Sequence, residues 1–318
     1  MPEEFDVLVV GAGPSGSTAA RHAALGGART LMIEKRTEIG TPVRCGEGVA
    51  KRWLDEVGLE PSKAFIAHEV DGAKVVIGAD GIESQVGRWA GLERPLKTRD
   101  IDACLQYTIV GVDGDPSLNE FYLGSCAPGG YAWVFWKDAD TANIGLGVNL
   151  SKLKDKAETK AYLDRFIAAH PHLAHGEILE EVAGMVTVSL PLDRTGMPGL
   201  LLVGDAARFI DPVTGGGILN GCLSGKYAGE LAASAVKAGD VGASLVAAYE
   251  NLWKARLEET LYRNYMIKEK LRTMEDEVIN KIIRAIVEVG LERVSTHEIL
   301  AALRKKHPEL VAEFEGFL

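Results

Sequence analysis

The chain predicts an α/β fold in which a parallel, nucleotide-type half is interrupted by an antiparallel sheet and followed by helices. Three observations carry this. An apolar strand at residues 5–10 runs directly into the turn Gly11-Ala12-Gly13-Pro14-Ser15-Gly16 and then a helical stretch, the strand–turn–helix context of a dinucleotide site. Between residues 102 and 150 the apolar pattern changes to period two, broken by Pro, Gly and Asp turns, as antiparallel strands require. After residue 248 come long, charged stretches with helical apolar spacing.

The elements follow in order. Residues 30–33 form a second strand that ends at Glu34, and residues 48–57 read as a helix with apolar positions Val49, Trp53, Leu54 and Val57. Residues 74–77 form a strand before the Asp80-Gly81 turn, and residues 82–91 a short helix. CLQYTIVGVD, NEFYLG, YAWVFWKD and TANIGLGVNL are the period-two strands. AETKAYLDRFIAAHP is a helix that Pro171 closes, MVTVSLPLD is a strand, and GLLLVGDAARFIDP is a buried strand entering a second glycine-rich turn. From Asn220 onward the chain is mostly helical. The resulting domains are residues 1–100 with 184–245 as a discontinuous nucleotide-binding domain, 101–183 as an antiparallel-sheet substrate domain, and 246–318 as a helical C-terminal region.

Composition bounds the function. With 318 residues, 47% of them hydrophobic, the chain can bury a sizeable core. A net charge of −10 argues against nucleic acid as a partner. No apolar run reaches the length of a spanning helix, and MPEEFD is too acidic for a targeting segment. The four cysteines, Cys45, Cys104, Cys126 and Cys222, lie far apart, so reduced thiols in a cytoplasmic protein are expected, with no metal framework. His170, His172 and His175 read as a solvated surface group.

Two glycine-rich turns carry the chemistry. In the first, Gly11 permits the tight turn, Gly13 lets the backbone approach a pyrophosphate, and Gly16 allows helix to pack on strand. The helix N-terminus offers N–H groups to phosphate, and Glu34 stands where a carboxylate accepts from ribose hydroxyls. The second runs Gly204-Asp205-Ala206-Ala207-Arg208, Asp211-Pro212, then Gly215-Gly216-Gly217-Ile218. Asp205, at a strand end, suits a ribityl hydroxyl. The triple glycine can set backbone amides against an isoalloxazine edge, where negative charge develops on reduction.

GAGPSG with Glu34, Ala79-Asp80-Gly81 and GDAARFIDPVTGGGI together resemble FAD-dependent enzymes of the aromatic-hydroxylase fold. PVRCGEGV and GGYAWVFWK narrow the resemblance to the archaeal geranylgeranyl reductases, also called digeranylgeranylglycerophospholipid reductases, over nearly the whole chain. The resemblance implies an FAD-binding Rossmann-like domain with an interleaved antiparallel β-sheet substrate domain and a helical C-terminal region. It implies that Gly11, Gly13, Ser15, Gly16 and Glu34 hold the ADP portion of FAD. Arg44, Cys45, Gly46 and Gly48 would lie along the flavin, and Asp205, Gly216, Gly217 and Ile218 would close the site from the other side. Tyr131, Trp133 and Phe135 match the YxWxF signature placed beside the lipid tunnel. On spacing alone these three share one strand face and equally fit an ordinary sheet core. Cys45, beside Arg44, reads either as a proton-donating thiol or as a packing residue against the flavin.

The implied reaction is saturation of C=C bonds of geranylgeranyl chains on membrane-lipid precursors, with hydride from reduced flavin N5. An external electron donor (ferredoxin-like, reduced nicotinamide or deazaflavin) and peripheral membrane contact go with it. A flavin monooxygenase of the same fold and a shortened, non-catalytic isoprenoid-binding relic are the alternatives. Two departures stand out. Trp136 occupies the position where the signature usually ends in proline, and its bulk would narrow or redirect the lipid channel. Relatives also place a long segment between HEVDGAKV and VIGADG, with further sheet and a flavin-contacting arginine, and no equivalent is found here. The forty residues between Glu34 and Val75 already hold the RCGEG loop and a helix, leaving no room for a strand–helix unit of about thirty residues.

Overall fold

The computed structural model describes residues 7–10, 24–25, 27, 30–33, 75–155, 157–289, 304–305 and 308. The chain divides into two compact units, residues 1–72 and 73–318, and each is described by itself.

In the first unit, β1 (Val7–Val10) and β2 (Thr30–Ile33) pair in parallel, Val7 opposite Thr30 and Val10 opposite Ile33. Both strands fall where the apolar runs predict them. The glycine turn between them and the helix expected at residues 48–57 lie outside the described residues.

The second unit opens with β3 (Val76–Gly78), which pairs in parallel with β10 (Leu200–Leu202); β9 (Gly196–Met197) joins the other side of β10 antiparallel. Gly78 is required here, because a Cβ would meet Leu202 Cδ2 at 2.6 Å and Val86 Cγ1 at 2.9 Å. Asp80 then caps α1 (Gln85–Trp89): its carboxylate accepts from Ser84 Oγ at 2.6 Å and from the amides of Gln85 and Val86 at 2.8 and 3.0 Å. Desolvation alone would raise its pKa, but the Ser84 and backbone hydrogen bonds outweigh it and hold it below the ordinary value. The Asp80-Gly81 turn thus starts a helix, with Gly81 at φ +83°.

The antiparallel sheet contains β4 (Ile101–Val110), β5 (Glu120–Leu123), β6 (Tyr131–Trp136), β7 (Thr141–Asn149) and β8 (Glu177–Thr187) in the order β5-β6-β7-β4-β8. One face packs Leu105, Tyr107, Ile109, Ala132, Val134, Ile144, Leu146 and Val148 against α2 (Ala157–Ala168), through Leu163 and Phe166. α2 stops at Ala168, and Pro171 opens the short α3 (Pro171–Ala174) at a position where its missing N–H costs nothing.

β8 departs from the sequence reading. The strand expected across MVTVSLPLD runs instead from Glu177 to Thr187. Glu177, Glu180 and Glu181 conceal it, because both of its faces are largely solvent-exposed and no period-two pattern is needed. It is held by backbone pairing to β4 alone, with one register shift at Thr108/Ile109. Ile178, Leu179, Val182 and Met185 are exposed along it.

Four longer helices follow: α4 (Ile218–Ala238), α5 (Ala243–Trp253), α6 (Glu259–Leu271) and α7 (Asp276–Val289), with a π-helical turn at Lys254–Glu258 joining α5 to α6. Tyr249 and Trp253 of α5 are buried against β10 and Phe209. Their polar tips are satisfied: Tyr249 Oη donates to Leu202 O at 2.7 Å, and Trp253 Nε1 to Thr195 Oγ1 at 2.9 Å.

Candidate active site

The pleat of the antiparallel sheet sorts the aromatic residues. Ala132 and Val134 of β6 face the core and are fully buried, whereas Tyr131, Trp133 and Phe135 face the other way and are only half-buried. Trp133 and Phe135 stack with centroids 6.1 Å apart, and Tyr131 meets Trp133 edge-on at 5.7 Å. Phe121 of β5, opposite Trp133 in the ladder, extends the wall; its ring lies 5.6 Å from Tyr131 and 5.3 Å from Phe135. The three expected aromatics therefore form a continuous wall on the open face of the sheet.

Trp136 corrects the expectation that it obstructs the channel. One residue beyond Phe135, it turns to the opposite face and packs against the core, over Gly114, where a Cβ would meet its ring at 2.2 Å.

The wall borders a cavity of about 340 Å³. β4 contributes Asp102, Cys104 and Gln106, β7 contributes Gly147, β8 contributes residues 182–186, and the loop before α4 contributes Thr214 and Gly215. Two glycines in β7 shape the floor. A Cβ at Gly145 would strike the Trp133 indole at 2.5 Å and Leu105 O at 2.8 Å, so this glycine lets Trp133 lie across the sheet. There the indole Nε1 donates to Gln106 Oε1 at 3.0 Å. Gly147, directly between Tyr131 and Cys104, leaves the adjoining volume open.

The cavity is mostly apolar but not wholly so. Asp102 accepts from Asn149 Nδ2 at 2.8 Å. Burial pushes its pKa up to about 6, although Asn149, Lys268 and Arg272 pull the other way. Burial and then the neighbouring Asp102 raise the Cys104 thiol to about 12. Burial, followed by Cys104, Asp102 and Asp211, raises Tyr131 to about 12, and its hydroxyl donates to Thr214 O. Sequence reasoning missed Phe121, Asp102, Gln106, Gly145 and Gly147. The alternating DACLQ and IGLGV carried the signal, since period two puts positions 102, 104 and 106 on one face and 145 and 147 on the face they share.

The second glycine turn lies at one end of this cavity. Asp211 organises it: Oδ1 accepts from the amides of Val213 and Thr214 at 2.9 and 3.1 Å, and Oδ2 from Asn264 Nδ2 of α6 at 2.6 Å. Gly215 adopts φ +67°. Asp205 stands at the end of β10, within the short 3₁₀ turn Gly204–Ala207. Desolvation alone raises its pKa, with no hydrogen bond contributing. A Cβ on Gly217 would come within 3.0 Å of Asp205 Oδ1. Arg208 is the one non-glycine residue at positive φ among the described residues, at 63°, a conformation that costs about 1–2 kcal/mol. The first turn of α4 has no side-chain cap, and Ile218 and Leu219 there are 86% and 74% exposed.

These features fit the flavin portion of FAD. An unpartnered carboxylate, a glycine cradle beside it, uncapped helix amides and apolar side chains without cover are what a ribityl chain and a flat ring would complement. Gly11, Gly13, Ser15, Gly16, Glu34, Arg44, Cys45, Gly46 and Gly48 lie outside the described residues. The structure brings Tyr131, Trp133 and Phe135 onto one face, and Asp205 beside Gly217, with Gly216 and Ile218 on either side of Gly217.

Comparison with known proteins gives a consistent answer. Residues 100–186 match the geranylgeranyl reductase catalytic domain, and residues 6–41 match the FAD dependent oxidoreductase family. The first of these spans the antiparallel sheet from β4 to nearly the end of β8. A digeranylgeranylglycerophospholipid reductase from Picrophilus torridus is 40% identical over 397 positions, covering all of both chains. The Thermoplasma volcanium protein of the same name is 40% identical over 395 positions, covering 99% of this chain and all of its own. Among solved structures, a geranylgeranyl bacteriochlorophyll reductase-like protein from Thermoplasma acidophilum superposes with a TM-score of 0.74 at 39% identity, covering 99% of each chain. Because 397 aligned positions meet a chain of 318 residues, the relatives carry internal sequence with no counterpart here, their length being about 395.

Proposed function

Because the chain belongs to the digeranylgeranylglycerophospholipid reductase family, we propose that the aromatic-walled cavity holds a geranylgeranyl chain while its double bonds are saturated. The chain is an FAD-dependent oxidoreductase of the geranylgeranyl-reductase type. The observation that carries the cavity assignment is the direction of the β6 aromatics. They line an apolar space that reaches Thr214 and Gly215, rather than filling the core.

Asp205, Gly216, Gly217 and Ile218 are proposed to hold the flavin end of FAD, with Gly11, Gly13, Ser15, Gly16 and Glu34 at the ADP end. Arg44, Cys45, Gly46 and Gly48 would lie along the flavin, with Cys45 near the reacting ring. When bound and reduced, FAD supplies the hydride. The protein's own part is to lay the prenyl chain along Phe121, Tyr131, Trp133 and Phe135 and to exclude water from it. The Tyr131–Thr214 hydrogen bond ties the wall to the glycine loop, and Trp133–Gln106 holds the indole against β4. The electron donor is proposed to be an external ferredoxin-like carrier, a reduced nicotinamide or a deazaflavin.

The test is anaerobic. Purified protein loaded with FAD and reduced by dithionite should saturate a geranylgeranyl phospholipid and reoxidise its flavin. Trp133→Ala removes the centre of the wall and is expected to raise KM by about tenfold, the loss of one buried aromatic contact, with flavin absorbance unchanged. Oxygen-dependent consumption of reduced nicotinamide without prenyl saturation would point to a monooxygenase. Failure to take up FAD at all would point to a non-catalytic binding protein.

Among the described residues no helix is long and apolar enough to cross a membrane. Peripheral contact is proposed through Phe121, at the exposed edge of the aromatic wall, and Leu123 on the same face of β5. In liposome flotation, replacing Phe121 and Leu123 by Asp should weaken association by about tenfold or more. No flotation of the unaltered protein would sink this part of the reading.

A further inference from the structure

We propose that Asp102 delivers the proton to the alkene while the geranylgeranyl chain lies along the aromatic wall, an inference that rests on the reductase reading above. Saturating a double bond takes more than a hydride. One carbon gains a hydride with its electron pair, the π bond breaks, and its electrons must capture a proton at the other carbon. In an apolar space that excludes water, the proton has to come from a group in the lining.

Among the described residues, three titratable side chains line the cavity: Asp102, Cys104 and Tyr131. Tyr131 already directs its hydroxyl proton to Thr214 O. Burial holds both Tyr131 and Cys104 up to about 12, so neither surrenders a proton readily near neutrality. Asp102 differs. It sits on the cavity face of β4, paired across the ladders with Val186 and Asn149. Asn149, itself fully buried, donates to Oδ1 and leaves Oδ2 to carry the proton. Lys268 of α6 and Arg272, the residue just beyond it, act on it from a distance, and no cation among the described residues forms an ion pair with it.

Asp102 also borders a second cavity of about 280 Å³, which includes Lys152, Lys268, Arg272, Glu275 and Asp276. It therefore faces the apolar space on one side and, on the other, a mixed one in which charged side chains stand among Leu123, Val213 and Met274. After transfer, Asp102 is left as carboxylate and takes a proton from water through this second, charge-bearing cavity. The flavin, having given up two electrons, is reduced again by the external donor.

The linkage sign separates this role from a structural one. A folded-state pKa raised from 3.8 to about 6 means that the contribution of Asp102 to stability is greatest at low pH and is lost as pH rises through 6. Asp102→Asn should therefore unfold no more easily than the unaltered protein above pH 6. A charged Asp102 that anchors Lys268 or Arg272 would predict the reverse.

The experiment uses the FAD-loaded full chain, reduced by dithionite and mixed anaerobically with a geranylgeranyl phospholipid. The rate of flavin reoxidation should fall as pH rises through about 6. Asp102→Asn should slow it by about a hundredfold and abolish that pH limb, as loss of a general acid does. Infrared difference spectra of the unaltered protein without lipid should show a protonated carboxyl that titrates near 6 and decide the matter even if the variant fails to fold. Retention of rate and pH limb in Asp102→Asn, their loss in Cys45→Ser alone, or an Asp102 ionised throughout would overturn the proposal. If the unaltered protein does not turn over the lipid at all, the reductase reading falls, and this role with it.

Discussion

Gly147→Phe should abolish prenyl saturation while leaving the protein folded and yellow. A Cβ at this position meets nothing closer than Cys104 Sγ at 3.2 Å, so the strand tolerates a side chain with a small shift of the thiol. The ring itself must enter the cavity of about 340 Å³ between Tyr131 and Cys104, which is the volume assigned to the prenyl chain. Loss of positioning there is expected to cost about a thousandfold or more in kcat/KM. FAD titration and the unfolding midpoint should stay near those of the unaltered protein. Full activity with a phenyl ring in place would mean that the chain binds elsewhere.

Asp211→Ala should weaken FAD binding by about a hundredfold and destabilise the protein by about 2–3 kcal/mol. The carboxylate holds the amides of Val213 and Thr214 and the Asn264 side chain at once. Removing it frees the glycine turn to sample conformations that no longer match the flavin, an entropic loss to binding. It also strands Asn264, which is buried and whose Oδ1 is already without a partner. Asp211→Asn should be milder, because the Asn264 amide can rotate and offer that free Oδ1 to the new donor. Flavin fluorescence titration with a urea melt separates the two effects. Equal behaviour of the two variants would show that Asn264 contributes nothing.

What the sequence made legible followed from local physics. Strands β1, β2 and β7 are continuous apolar runs or clean alternations, and period two alone put Tyr131, Trp133 and Phe135 on one face. Which face meets the core could not be read from β6, since both sides carry large apolar residues. That was decided by α2, which follows β7 in the chain and whose Leu163 and Phe166 join the buried cluster that holds Ala132 and Val134. Trp136 does not obstruct the channel because the period that puts Tyr131, Trp133 and Phe135 on one face puts residue 136 on the other, so its bulk enters the core. β8 was misplaced because it is a strand by its neighbour's hydrogen bonds rather than by its own side chains. Asp102 was invisible as chemistry: an aspartate at a strand start looks like any turn residue, and only the closure of β7, β8 and α6 around it removes it from water.

β8 also bears on how a long, flexible chain reaches the wall. It carries one ladder, to β4, and its residues 182–186 form the outer side of the cavity. A strand bonded on a single edge separates locally at much lower free energy than one held on both. Fraying of that ladder parts the cavity along its length, like a seam, rather than at one end. A prenyl chain admitted through such a seam lies down broadside and need not be threaded, so that an edge ladder of the sheet also serves as a way in.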